Sequence, residues 1–201
     1  MLSFNKNKGR PIGLIKGGKH NKKMIYFNEK GKKLTGKNEI KIDDGKIIPL
    51  PNKKVVEKIY ISAPSGAGKT TWVSSWLKQF KKMFRGDEIF IISSIPYDKP
   101  LDDLDPIRID INEDLINEGM MEGEDFEDSV IVFDDVDTIQ NNYYRKYIEQ
   151  LRDYLLEQGR HFNCRMLMTH HLLSNFKKTR VMLNESTACV LFPKVNGNNI
   201  K

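Results

Sequence analysis

Nine consecutive residues carry the clearest chemistry in the sequence: Ala63-Pro64-Ser65-Gly66-Ala67-Gly68-Lys69-Thr70-Thr71. They match the phosphate-loop pattern G-x-x-x-x-G-K-[ST], with Ala63 in place of the first glycine. Backbone N–H groups that curl around a phosphate need neighbours small enough to let the anion approach, and Gly66 and Gly68 supply that room. The helix opening at this loop adds free N–H groups and a positive dipole end. In such a loop Lys69 reaches the β- and γ-phosphates, the Thr70 hydroxyl binds Mg²⁺, and Thr71 contacts the α-phosphate region. The expected ligands are therefore ATP and Mg²⁺, held by residues 63–71.

An acidic partner at the end of a buried strand completes such a site. Val130-Ile131-Val132-Phe133-Asp134-Asp135 provides it. Asp134 is expected to hold Mg²⁺ through water beside Thr70, and Asp135 to orient or deprotonate an attacking water. Asp137 is a second candidate for the base. Farther on, Gly159-Arg160-His161 precedes an apolar run that ends in Thr169-His170-His171. Adjacent histidines on a strand end point to opposite faces, which makes them a poor metal pair.

The surrounding pattern predicts the elements that position these groups. Strands are expected at 23–27, 39–42, 55–61, 88–92, 107–111, 129–133, 165–168 and 188–192. Helices are expected at 69–84, where Trp72/Val73, Trp76/Leu77, Phe80 and Met83/Phe84 recur at helical spacing, and at 141–158, with Tyr144, Tyr147/Ile148, Leu151 and Tyr154/Leu155 on one face. Strands alternating with helices predict an α/β fold: three layers around a mostly parallel sheet. Met120, Met121, Met166 and Met168 read as packing, and Cys164 and Cys189 as two buried thiols in a reducing compartment.

The chain has 201 residues and a formal net charge of +6, spread unevenly. Residues 1–58 hold 16 Lys+Arg against 5 Asp+Glu, so the remainder is acidic. This predicts a basic N-terminal arm or small β attachment over 1–54 and a catalytic domain over 55–201. Such an arm suits a polyanionic partner or serves as a solubilising tail. No apolar run approaches the roughly 18 residues that would suggest a membrane span, and the N-terminus lacks a secretory h-region.

Several features together resemble the FtsK–HerA class of P-loop ATPases, and within it the poxvirus-type DNA-packaging ATPases of large DNA viruses and virophages. They are the phosphate loop, the strand ending in Asp134-Asp135, the Gly159-Arg160 pair, the polar end Thr169-His170, Ser93-Ser94 with 97–101, and the run 179–187. The resemblance covers residues 55–193 and implies a P-loop NTPase of RecA/FtsK type. It also implies a motor that hydrolyses ATP to move double-stranded DNA, assembled as a homo-oligomeric ring, with capsid proteins as further partners. Its place would be the host cytoplasm or the virion. By resemblance Arg160 reaches a neighbouring subunit's ATP site, with Arg180 as the second choice. His170, or Thr169 beside it, takes the sensor position. Lys177, Lys178 and Arg180 line a DNA channel or form a solvated loop. Packaging ATPases of this kind continue past the last predicted strand, so a C-terminal truncation is expected. The alternatives are a P-loop phosphotransferase, for which no lid segment stands out, and a nucleotide-binding switch without motor activity.

Overall fold

In the computed structural model the strand expected at 55–61 is shifted and shorter. It runs as Lys58–Ser62, because its pairing partners begin only there. Lys58 lies opposite Met166 on one side, and its N–H donates to the Thr187 hydroxyl at 3.0 Å on the other. The structure describes residues 2–6, 9–27, 42, 44–171 and 176–192, with the backbone alone at 176–178.

The chain divides into two units, Met1–Val55 with Ser74–Arg85, and Val56–Val73 with Gly86–Lys201. The sequence places one cut at 54/55. The division is not a single cut, because the later part of a helix groups with the N-terminal residues.

The first unit holds a four-stranded antiparallel sheet of β1 (Leu2–Ser3), β2 (Arg10–Lys16), β3 (Met24–Phe27) and β4 (Lys46–Pro49), in the order β1-β3-β2-β4. Gly13, Ile15, Ile25 and Pro49 are its buried residues. Pro49 ends β4 at the sheet's edge, where a missing N–H costs no ladder bond. The strand expected at 39–42 falls outside the described residues, apart from residue 42, which is not in a strand. Helix α1 (Lys69–Met83) buries Val73, Trp76, Leu77 and Phe80, as its spacing predicts. Trp76, Phe80 and Phe84 stack along it with centroids 5.6 and 5.1 Å apart.

The second unit contains a six-stranded, all-parallel sheet. Its strands are β5 (Lys58–Ser62), β6 (Glu88–Ser93), β7 (Ile107–Arg108), β8 (Ser129–Asp134), β9 (Arg165–His170) and β10 (Ala188–Leu191). Their spatial order is β10-β5-β9-β8-β6-β7. The expected α/β class and parallel sheet are present. Strands β5, β8 and β9 are buried throughout, as continuous apolar runs in a parallel sheet require. Each fully buried Val, Ile, Leu, Phe or Met side chain contributes about 1.5–3 kcal/mol.

Short helices α2 (Lys99–Asp102) and α3 (Glu113–Glu118) flank β7. The strand expected at 107–111 is cut to two residues because Asn112 caps α3, accepting from the Leu115 N–H at 2.9 Å. Helix α4 (Asn142–Gln158) starts at Asn141, whose side chain accepts from the N–H groups of Tyr143 and Tyr144. Its Tyr147, Ile148, Leu151, Leu155 and Leu156 pack on Ile131, Phe133, Met166 and Met168 in one core. Helix α5 (Phe176–Glu185) leads to β10. Cys164 is buried, and burial raises its thiol pKa to about 11. Cys189 is exposed, which corrects the expectation of two buried thiols, because β10 lies at the sheet's edge. Met120 is exposed too, while Met121 packs against the core. Among the described residues no helix is long and apolar enough to cross a membrane.

Candidate functional site

The strand order sets the site's layout. Strand β9 lies between β5, which feeds the phosphate loop, and β8, which carries the aspartates. The C-terminal end of β9 is therefore wedged between Lys69 and Asp134-Asp135.

The loop itself is bent through Gly66 (φ 75°) and Gly68 (φ 101°). A Cβ on Gly66 would meet nothing within 4 Å, so the requirement there is for the left-handed backbone and not for space. Pro64, Ser65 and Gly66 are exposed, Ala67, Gly68 and Thr70 half-buried, Thr71 exposed, and Ala63 buried at the end of β5. The Ala63 N–H donates to the His170 carbonyl at 3.1 Å, tying the loop's root to β9.

Lys69 is buried and folds back over the loop. Its ammonium donates to the Ala63 carbonyl at 3.1 Å and to His171 Nδ1 at 3.2 Å, and stands 3.4 Å from Asp135 Oδ1. An ammonium has no lone pair to offer, so His171 Nδ1 is the acceptor and its ring proton sits on Nε2. That nitrogen lies 3.2 Å from Asp135 Oδ2. Lys69, His171 and Asp135 thus form a closed triangle.

Thr169 joins the two aspartates. Its hydroxyl lies 2.9 Å from Asp134 Oδ1 and 3.1 Å from Asp135 Oδ1, and it accepts from the Asp135 N–H at 2.9 Å. One hydroxyl proton serves one carboxylate at a time. Asp135 adopts a left-handed conformation (φ 46°, ψ 35°), a state that costs free energy in a non-glycine residue and clusters at functional sites. Ser93, at the end of β6, donates to Asp134 Oδ2 at 3.2 Å. Burial raises the Asp134 pKa above the ordinary carboxylate range, and the hydrogen bonds from Thr169 and Ser93 oppose that shift. A buried carboxylate held by two neutral hydroxyls fits a divalent cation, which would supply the countercharge. Among the described residues no group of three or more His, Cys, Asp or Glu side chains could hold a metal. The donors fit a Mg²⁺-type ion bound by a hydroxyl, a carboxylate, water and phosphate oxygens.

The remaining predicted residues lie elsewhere. His170 is on the face of β9 opposite Thr169 and is not among the residues gathered around Lys69. Its ring is 6.1 Å from that of Tyr60, and its Nδ1 is 3.6 Å from Asp137 Oδ2. Burial lowers its pKa, which keeps the ring neutral at neutral pH. Asp137, the second candidate for the base, faces His170 instead of Lys69. Residue 171, not 170, shares the face of Thr169, as the period of two along a strand dictates. The period of two pairs His171 with Thr169 but does not say which face meets the phosphate loop; the place of β9 between β5 and β8 decides that. Ser93 was visible in the sequence without a role attached.

Arg160 is exposed on the single 3₁₀ turn Gly159–Phe162, just before β9 begins. Burial lowers the pKa of Lys58, the first residue of β5; Glu185 opposes that shift, and Arg160 adds to it as a nearby cation. Arg160 and Lys58 both lie at the N-terminal edge of the parallel sheet, whereas Lys69 follows the C-terminal edge. Arg180 is exposed on α5, and the side chains of Lys177 and Lys178 are outside the described residues.

Thr169→Val tests how the aspartates are held. Removing the hydroxyl while keeping the shape should lower catalytic turnover about 10–100-fold, the usual cost of losing a group that orients a metal ligand. Stability should fall by about 1–3 kcal/mol, because the buried Asp134 carboxylate and the Asp135 N–H lose a partner, and the apparent affinity for Mg²⁺ should weaken. Unchanged turnover would show that β9 does not organise the site.

No protein-family profile matches the chain. Among solved structures, the cytoplasmic domain of EssC superposes with a TM-score of 0.52 at 12% identity, over 96% of this chain. This chain spans 39% of that one, and the likeness is one of fold. A chain of C. elegans PCH-2 aligns at TM-score 0.36 and 16% identity, over 66% of this chain and 34% of its own. In sequence, the chain is 37% identical over 198 residues to the "Uncharacterized protein V3" of Sputnik virophage, covering 96% of this chain and 79% of that protein. A parallel α/β fold with a P-loop at its C-terminal edge, and this identity over almost the whole chain, place the protein in the family of the virophage V3 protein.

Proposed function

We propose that this chain is an ATP-hydrolysing motor that moves double-stranded DNA, working as a ring of identical copies in viral genome packaging. The observation that carries the reading is the convergence of Lys69, Asp134, Asp135 and Thr169 at one edge of the parallel sheet. The phosphate loop and the N-terminus of α1 bind the triphosphate. Thr70 and Asp134 hold Mg²⁺, which when bound neutralises phosphate charge. The triangle around Lys69 opens on binding, since the ammonium must leave Asp135 for the β- and γ-phosphates. Freed of Lys69, Asp135 is available to accept a proton from water, and His171 Nε2–H remains beside it to hold it in place. Arg160 serves a neighbouring copy. Duplex DNA as substrate and capsid proteins as partners belong to the same reading and rest on the sequence resemblance; the virophage relative supports its viral setting alone.

Steady-state ATP hydrolysis by the full chain, with and without duplex DNA, tests it. The wild type should require Mg²⁺ and be stimulated by DNA, and Lys69→Ala should lose about 10²–10³ in turnover, the usual cost of removing one preorganised transition-state donor. Hydrolysis indifferent to duplex DNA would remove the motor and leave a nucleotide switch. Phosphate transfer to an added nucleoside would move the reading to a phosphotransferase.

A further inference from the structure

The basic surplus of the first unit is not spread along a featureless tail. Residues 16–23, at the turn between β2 and β3, contain Lys16, Lys19, Lys22 and Lys23 with His20 and no acidic residue. All but His20 are exposed. The turn is held by its own backbone. The Lys22 N–H donates to the Ile15 carbonyl at 2.7 Å, the Ile15 N–H to the Lys23 carbonyl at 2.9 Å, and the Asn21 N–H to the Gly18 carbonyl at 3.1 Å. Two side chains complete the frame. Asn21 Oδ1 accepts from the Gly17 N–H at 2.8 Å, and the Asp44 carboxylate accepts from the Lys19 N–H at 3.1 and 3.2 Å. Gly18 makes that approach possible, since a Cβ there would stand 2.4 Å from Asp44 Oδ1. The Asp44 carboxylate thus serves the backbone of the turn.

A cluster of lysines on a framed turn loses less conformational freedom on binding than one on a loose tail. It fits a partner with regularly spaced negative charge. The rings of this unit point to duplex over single-stranded nucleic acid. Single strands are held largely by bases stacked on open aromatic faces. Here Phe4 packs against His20 at 5.1 Å and lies under the Lys23 ammonium at 5.2 Å, while the Arg10 guanidinium covers Phe27 at 5.9 Å. Among the described residues, Phe4 and Phe27 thus each carry one of the chain's own cations, a position that a stacked base would have to contest. Lysine contacts read the phosphate backbone and not the sequence.

We infer that the β2–β3 turn, through Lys16, Lys19 and Lys22, is a contact surface for the phosphate backbone of double-stranded DNA. It is built of residues other than those of the nucleotide site. The inference rests on the motor reading for its choice of DNA. It adds a contact that operates without nucleotide and holds the substrate while ATP is exchanged.

The test measures equilibrium binding of the nucleotide-free full chain to a fluorescent duplex of random sequence across a salt series. Three proteins are compared: the wild type, a Lys16→Gln/Lys19→Gln/Lys22→Gln triple, and a control triple, Lys53→Gln/Lys54→Gln/Lys146→Gln, with the same loss of charge at exposed positions. ATP binding by each variant checks its fold and its nucleotide site. The turn variant should bind duplex DNA roughly tenfold or more weakly at about 0.1 M salt, and its salt slope should fall by about 0.9 for each phosphate that is no longer neutralised. The control should stay close to the wild type. Equal losses in both triples would reduce the effect to net charge and overturn the inference, as would an unaffected turn variant. A single strand bound as tightly as the duplex would overturn the assignment to double-stranded DNA. Loss of turnover with this binding intact would count against the motor and not against the contact.

Discussion

Arg160→Ala should lower DNA-stimulated ATP turnover by about 10³–10⁵ while leaving ATP binding intact, the range associated with a cation delivered to a transferring phosphoryl group. The geometry makes the expectation sharp. Arg160 precedes β9 and Lys69 follows β5, so the two stand at opposite edges of the parallel sheet. Six residues of strand span roughly 20 Å, beyond the reach of an arginine side chain. Arg160 therefore cannot touch its own copy's phosphates, and a direct contact with a transferring phosphoryl group would have to be made in a neighbouring copy. The measurement is steady-state hydrolysis paired with nucleotide binding. A loss of turnover under threefold would assign Arg160 to the ordinary preference of cations for a helix C-terminus, and Arg180 on α5 would become the arginine to test.

Asp135→Asn should reduce turnover by about 10²–10⁴, the contribution typical of a positioned general base, and should not weaken ATP binding. The reason lies in the triangle around Lys69. Without nucleotide, Asp135 holds the ammonium at 3.4 Å, and this attraction competes with the incoming phosphates. The amide removes the competing charge, so ATP should bind as tightly as in the wild type or more tightly while hydrolysis fails. The variant should accumulate as a nucleotide-bound form, readable by equilibrium binding and single-turnover kinetics. Turnover within tenfold of the wild type would exclude Asp135 as the base. Weaker ATP binding would show that Asp135 acts mainly by supporting the loop.

Much of this site was legible in the sequence because its signals are local. A glycine-bearing loop between a strand and a helix, and the apolar run of residues 130–133 ending in two aspartates, each declare themselves within ten residues. Helix α4 was similarly visible through Tyr147, Ile148, Leu151 and Leu155. What escaped depends on pairing between distant segments. Whether His170 or His171 faces the phosphate loop is fixed by the insertion of β9 between β5 and β8, which no local pattern encodes. The first unit shows the same limit. Strand β2 shifts register between Pro11 and Gly13 and mixes Gly, Pro and Lys with its apolar residues, so it reads as an irregular arm. Strand β4 reads as punctuation because of Pro49, which is tolerated only because β4 lies at an edge. The framed turn at residues 16–23 depends on Asp44, more than twenty residues away, and so a run of lysines could be read as a tail.

If ATP is hydrolysed between copies of this chain on DNA, mixing two inactive variants reveals it most directly. Lys69→Ala lacks the phosphate site but retains Arg160, and Arg160→Ala has the reverse defect. Each alone should be inactive with duplex DNA present. An equimolar mixture should recover a substantial fraction of wild-type turnover, since some interfaces then pair an intact Lys69 site with an intact Arg160. A mixture as inactive as its components, with both variants folded and assembled, would contradict a shared site and place catalysis within the single chain.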